Sequence, residues 1–384
     1  MILQRFDLSS VSCARRVLCQ TEELLKRGHE VILTDFPHPQ RQQEVPSIVN
    51  ISHLGGTVVP LERKITSLPA NYKKLQKITP RPDIVHLWKS YPDVSLPAIQ
   101  LSRKWRIPLH YDWDDWENGI AQELTGSGMA GWAAGRWDRI LPGCSDTIST
   151  ASAFLREKTL ALGIEEQQIF DAPVGADIEK FHPRKKNQAL YQKLGLRKPV
   201  LVYSGQLEVA TYVGQAIRVF ALLRREFQTA KLLVLGGGRK LNEFKKIAEE
   251  EKVSRHVIFT DYVPADEVPD YLALADVALA PFLRNDVTRA KSPLKIAEYL
   301  AMGLPVVSSE VGEAPKMTLG AGVCVPCGKI KAMAEQTAWI LRNPGVRESM
   351  AKAGRKRAEE KYNWSNHVDS LLSAYHYAIE NMEK

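Results

Sequence analysis

The amino-acid sequence predicts an α/β protein made of two doubly wound, parallel-sheet domains. Three observations predict it. The chain has 384 residues, more than one domain of about 150 residues needs and enough for a separate core in each of two. Short β-branched runs alternate with amphipathic helical stretches, the pattern of stacked βαβ units, and the alternation runs, pauses and begins again. The pause is a Pro/Gly-rich passage, Pro173 to Pro183, followed by the basic cluster Arg184-Lys-Lys186, which reads as a linker. The domains expected are therefore 1–173 and 174–362.

In the first half, Val17 to Lys26 reads as a helix that stops at Gly28, and Glu30 to Thr34 as the strand after it. Asp83 to Leu87, Pro108 to Asp112 and Thr147 to Ser149 are further strands. In the second half, strands recur at Val200 to Tyr203, Lys231 to Leu235, Val257 to Phe259, Val277 to Ala280 and Pro305 to Ser308. A last helix puts Val368, Leu371, Leu372, Tyr375 and Ile379 on one face. Ligands of such sheets bind beyond the C-terminal strand ends, so a cleft between the two domains is the expected active site.

Composition excludes several classes. Hydrophobic residues make up 44% and charged residues 25%, the balance of an ordinary globular chain rather than a disordered or fibrous one. No window approaches the ~18 to 20 apolar residues of a membrane span, and Met1 to Asp7 lacks a signal-peptide pattern, so a cytoplasmic location is expected. Five cysteines suit a reducing compartment; Cys324-Val-Pro-Cys327 has redox or zinc spacing, but its apolar setting reads as strand. The formal charge of +8 lies wholly in residues beyond 175, which suits an anionic ligand there. Nucleic-acid binding would account for the charge but for none of the motifs below.

Lys291-Ser-Pro-Leu-Lys-Ile-Ala-Glu-Tyr-Leu-Ala-Met-Gly303 carries its own helix signals: Ser292 as N-cap, Pro293 in the first turn, Gly303 past the end. At 100° per residue, Glu298 falls between Leu294 and Met302, so its carboxylate is expected on an apolar face in need of compensation. Lys295 or a vicinal diol would supply it. The helix amides with Lys291 and Lys295 suit a diphosphate, and diphosphate plus diol describes a nucleotide. An ordinary surface helix with a Lys-Glu pair is the plainer alternative.

Ser292 to Val307 resembles the nucleotide-sugar motif of the GT-B-fold retaining glycosyltransferases of family 4. Arg27-Gly-His-Glu-Val31, Val174 to Pro183, Tyr203-Ser-Gly-Gln-Leu207, Leu235-Gly-Gly-Gly238, Val257 to Val263 and Tyr362-Asn-Trp364 fall in that family's order, so the likeness covers nearly the whole chain. The resemblance implies an acceptor-side first domain, a nucleotide-sugar-binding second domain and a helix, 363–384, crossing back to the first. It implies that Glu298 holds the donor ribose, that Ser292, Pro293, Leu294 and Lys295 with Lys291 meet the diphosphate, and that the Phe259 to Val263 strand end lines the base. Gly205, Gln206, Gly237, Tyr262 and Val263 complete the donor-binding set. No cofactor and no metal are expected.

The chain departs from that pattern in places. Ala290 stands where the family usually has a second glutamate; Gln206, Thr211 and Tyr212 stand where it tends to have an arginine and a lysine; and Asp7 to Cys13 lacks the usual glycine pair. Diphosphate charge would fall to Lys295, Lys291, Arg289 and helix amides. His110-Tyr-Asp-Trp-Asp-Asp-Trp-Glu117 occupies the loop that faces the donor sugar in relatives, and Asp114 replaces a histidine there. Asp114, with Asp112 and Asp115, is the catalytic candidate, orienting a sugar hydroxyl or taking the acceptor proton, while Trp113 and Trp116 offer stacking faces. Asp112-Trp-Asp114 also mimics a metal-binding Asp-x-Asp, and a solvated acidic loop is the plain reading. Pro69 to Ile78, with Tyr72, Leu75 and Ile78 beside Lys73, Lys74 and Lys77, fits either a solvated helix or one lying on an anionic leaflet, giving a peripheral place on the inner membrane face.

The reading is a retaining glycosyltransferase that moves a sugar from a nucleoside diphosphate donor to a hydroxyl of a glycan or lipid-linked acceptor, in cell-envelope polysaccharide or glycoconjugate synthesis. The rivals are a catalytically degenerate protein of the same fold serving as a binding or scaffold subunit and, more weakly, a nucleotide-sugar epimerase.

Overall fold

The computed structural model describes residues 1–9, 11–39, 41, 45–125, 135–208 and 212–382. Thr211, named above, lies outside them, as does Ser10 within the Asp7 to Cys13 stretch. The chain divides into two compact units, Met1–Val174 with Trp364–Lys384, and Gly175–Asn363.

Unit 1 is a seven-stranded sheet: β1 Ile2–Leu3, β2 Ile32–Asp35, β3 Thr57–Pro60, β4 Val85–Trp88, β5 Leu109–Trp113, β6 Thr147–Thr150 and β7 Ile169–Asp171. Their order is β3-β2-β1-β4-β5-β6-β7, and every described pairing is parallel. The sequence reading does not include the short β1, β3 and β7. The first helix, Val11–Lys26, starts six residues before Val17 and stops as expected, with Gly28 at φ +85. It shares one core with the last helix, Trp364–Met382: Val17, Leu18, Leu24, Val368 and Leu371 pack over Ile2 and Leu33.

Unit 2 is a six-stranded sheet: β8 Val200–Ser204, β9 Lys231–Leu235, β10 Val257–Phe259, β11 Val277–Ala280, β12 Val306–Ser309 and β13 Gly322–Val325. Order β10-β9-β8-β11-β12-β13 is again fully parallel. Leu201, Leu232, Val234 and Leu279 pack with Ile217 and Phe220 of helix Tyr212–Leu223 and Met333 of helix Ile330–Arg342. Cys324 lies in β13, as its apolar surroundings foretold.

One expectation is corrected. Pro173 to Lys186 is no linker beyond Val174: Phe181 is buried, Arg184 bonds Asp270 at 2.9 Å, and Lys186 reaches Asp276 at 3.1 Å, so the segment is the anchored opening of unit 2. Within 69–78, helix Leu68–Gln76 buries Asn71 and Leu75 inside unit 1, and Lys74 Nζ donates to the Pro60 carbonyl. Leu75 is thus spent on the protein interior, while Lys73, Lys74 and Lys77 are exposed and Tyr72 and Ile78 half-buried. Among the described residues no helix is long and apolar enough to cross a membrane.

Candidate active site

In unit 2 the chain leaves β8 toward β9 on one side, while β11 lies on the other, which makes a switch point where doubly wound sheets bind ligands. Glycines line it because the strand ends crowd together. Gly205, after β8, donates its amide to the Leu235 carbonyl at 2.9 Å, and a Cβ on Gly236 would sit 2.2 Å from the Gly205 oxygen. No other residue fits.

Lys295 points into this crowding from the first turn of helix Leu294–Ala301. Its Nζ sits 3.9 Å from the centroid of the buried Tyr203 ring, and a Cβ on Gly205 would lie 2.7 Å from it. Among the described residues the ammonium makes no hydrogen bond or ion pair; its contacts are the rings of Tyr203 and Phe282. Burial and the nearby Lys291 lower its pKa to about 7, against the opposing pull of Glu298.

The helix presents a different side from the one expected. Ile296, Ala297, Tyr299, Leu300 and Ala301 are buried, whereas Leu294, Lys295 and Glu298 are half-exposed. Glu298 therefore lies on the open side, one turn beyond the helix start, and needs no burial partner to be tolerated. The cap is corrected too. Pro293 occupies the N-cap position, with φ −77° and ψ 107°, and no side chain caps the helix; Ser292 lies one residue outside, buried. Pro293 offers no side-chain cap to the amides of Leu294 and Lys295 at the helix start, the end of a helix that suits an anion, while the Ile296 amide donates to the Pro293 carbonyl at 2.9 Å. Tyr299 accepts the Ser204 amide at 2.6 Å, which pins the helix to the end of β8.

The other donor-side residues gather at the same strand ends. Gly237 is buried, Tyr262 is exposed, Val263 is half-buried and Gln206 is exposed. Lys291 and Pro293 line a small hollow with Tyr212, Phe282, Thr288 and Val311. Arg289 is exposed to solvent in an ion pair with Asp286 at 3.0 Å. Ala290 is fully buried, so the wall that usually carries a glutamate is closed and apolar here.

Unit 1 separates the three aspartates. Asp112, inside β5, is buried and accepts from Arg16 Nε (2.8 Å) and Nη2 (2.7 Å), Gln20 Nε2 (2.8 Å) and Ser149 Oγ (2.6 Å). Burial would raise its pKa, but Arg16 holds the carboxyl well below the carboxylate range. Its lone pairs are filled. The catalytic assignment of Asp112 is therefore corrected to a structural one, and the Asp-x-Asp reading falls with it, because Asp112 and Asp114 bond different cations. Trp113 is corrected likewise: it is buried, stacked on Tyr111 at 5.8 Å, and Trp116 carries Lys158 Nζ 4.5 Å above its ring.

Asp114 and Asp115 stand at the C-terminal end of β5, partly exposed. Lys89, just past β4 with φ +70, reaches Asp114 at 2.9 Å, Asp115 at 2.6 Å and the buried Glu117 at 3.2 Å. The three carboxylates could hold a metal by their spacing, with ligand atoms within 4.8 Å of one another, but the Lys89 ammonium bonds to all three. Burial would lower the pKa of Lys89; Asp114, Asp115 and Glu117 raise it well above the usual value. Burial also lifts Asp114 and Glu117, with Lys89 opposing. Sequence reasoning missed Lys89 and Arg16, which carry no motif, and gave Tyr203 no role of its own within its motif; only the backbone brings them to their partners.

Comparison with known proteins bears on both units. A profile described as "Glycosyl transferase 4-like domain" matches residues 13–175, and one described as "Glycosyl transferases group 1" matches 186–357. The chain is 28% identical over 226 residues to the GDP-mannose-dependent alpha-(1-6)-phosphatidylinositol monomannoside mannosyltransferase of Mycolicibacterium smegmatis, covering 57% of this chain and 59% of that protein. It is 23% identical over 309 residues to a glycogen synthase of Mycobacterium tuberculosis, covering 77% and 69%. The fold matches sucrose-phosphate synthase from Thermosynechococcus elongatus with a TM-score of 0.76 at 17% identity, over 97% and 95% of the two chains. HepE from Anabaena in complex with UDP-glucose gives 0.73 at 14% identity, over 97% and 98%.

Proposed function

Because the chain belongs to the GT-B glycosyltransferases of the family 4 type, we propose that it transfers a sugar from a nucleoside diphosphate donor, with retention, to a hydroxyl of a glycan or lipid-linked acceptor. The observation that carries this reading is the Lys295 ammonium, held without a protein anion at a switch point, one turn from a half-exposed Glu298. In this reading Lys295, Lys291 and the first-turn amides of the helix bind the diphosphate and stabilise the charge that develops as it leaves. Glu298 accepts both hydroxyls of the ribose. Unit 1 supplies Asp114 to orient a sugar hydroxyl or receive the acceptor proton, with Asp115 beside it on Lys89. Holding the acceptor on the face the diphosphate leaves gives retention.

The named mannosyltransferase relatives support cell-envelope glycolipid synthesis as the setting. Group 1 enzymes of this fold generally act without a metal, and none of these steps uses one. The reading places the protein in the cytoplasm, meeting the membrane surface through the exposed Lys73, Lys74 and Lys77. Buried Ala290 favours one rival, a degenerate protein that binds donor without turning it over.

Calorimetry with GDP and UDP tests the site. Glu298→Ala is expected to weaken the bound nucleotide about 100-fold, the worth of two hydrogen bonds to a charged group. Unchanged affinity removes the ribose assignment. Slow hydrolysis of a nucleotide sugar by the parent separates the enzyme from the degenerate binder.

A further inference from the structure

Asp261 follows β10 with φ +59, a setting that glycine takes freely and other residues adopt at a cost of roughly 1 kcal/mol. Its side chain is exposed and forms no ion pair among the described residues. Oδ1 accepts the Tyr262 amide at 2.9 Å and crowds Gly237 so closely that a Cβ there would lie 2.0 Å from it. The Tyr262 ring leans on the same glycine: that Cβ would meet Cδ2 and Cε2 at 2.8 Å, while the ring stays 68% exposed. A strained carboxylate, an uncovered aromatic ring and a glycine notch thus meet at one spot. Gly236, next to the notch, abuts Gly205 at the Lys295 seat. The Oδ1 bond to the Tyr262 amide and the backbone bridge between Asp261 and Gly236 let an aspartate hold a conformation in which glycine would rest at ease.

We infer that Asp261 selects guanine as the base of the donor, with Tyr262 as the surface against which the base lies. This rests on the donor reading above and adds the identity of the nucleotide. A carboxylate offers two acceptors and no donor. Guanine alone presents two donors side by side on its Watson–Crick edge, N1–H and N2–H, which match the two oxygens. Uracil has one N–H flanked by two carbonyl oxygens, and adenine and cytosine set one amino group beside a ring nitrogen lone pair, so each turns an acceptor toward the carboxylate. Selection comes as much from that repulsion as from the matched pair.

The test is calorimetry of GDP, UDP and ADP with the parent, Asp261→Gly and Glu298→Ala. The parent is expected to bind GDP at least about tenfold more tightly than UDP or ADP, as charge-assisted hydrogen bonds at an exposed site allow. Asp261→Gly is expected to melt at the same or a higher temperature, since glycine relieves the backbone, yet to bind GDP and UDP within about twofold of each other. A parent that binds UDP or ADP as well as GDP, or a glycine variant that keeps its preference, overturns the inference. If UDP is preferred and its binding still collapses in Glu298→Ala, the donor reading stands and the guanine assignment alone fails. Binding of no nucleotide sinks both.

Discussion

Two lysines sit at the C-terminal strand ends of their sheets, and they have opposite fates. Lys89 bonds three carboxylates within 3.2 Å and keeps its proton more firmly than a lysine in water. Lys295 lies on an aromatic ring with no protein anion bonded to it, and its pKa falls to about 7. The difference teaches which charge the fold spends on itself and which it keeps for something else. Desolvating an ammonium without a counter-ion destabilises the folded protein, so its retention points to a ligand that repays the cost.

Substitution should expose this contrast, most strongly at the buried pairs. Lys89→Met leaves three carboxylates without their cation and is expected to cost about 3–5 kcal/mol by denaturant unfolding. Asp112→Ala, which orphans Arg16, belongs in the same range. Lys295→Met removes no partner, so its stability should stay at or above that of the parent, while GDP affinity falls at least about tenfold. A Lys295→Met protein as damaged as Lys89→Met would erase the distinction between the two lysines. The finest probe is Asp114→Asn, expected to lower turnover with donor affinity within about twofold of the parent; equal turnover rejects its role.

The sequence revealed the site unevenly, for physical reasons. Strands β9, β10 and β11 were legible to the residue because buried parallel strands are unbroken apolar runs bounded by turns. The Ser292 to Gly303 segment stands out by its motif, yet its N-cap lies one residue later than the sequence suggests and Glu298 lies on the open side of the helix rather than on an apolar face. Periodicity says which residues share a face, not what that face meets. Asp112 and Asp114 looked equivalent in sequence. Two residues apart, they would share a face of a continuing strand; the end of β5 at Trp113 separates them, so Asp112 bonds Arg16 from within the strand and Asp114, past its end, meets Lys89. Lys89 itself was invisible, since its role depends on a left-handed backbone turn and on carboxylates more than twenty residues away.

The lowered pKa of Lys295 supplies the most direct test. Its folded pKa lies below that of the unfolded chain, so between about pH 7 and 10 the unfolded state binds more protons and stability rises with pH through this group. A diphosphate reverses the sign by favouring the ammonium, so binding at pH 8 must draw in a proton. Titrating GDP into the protein by calorimetry at pH 8, in buffers of different ionisation heat, should show uptake approaching one proton, affinity that falls from pH 7 to pH 9, and no uptake in Lys295→Met. Binding heats independent of buffer, with equal affinity at pH 7 and pH 9, would contradict the claim that Lys295 waits for the diphosphate.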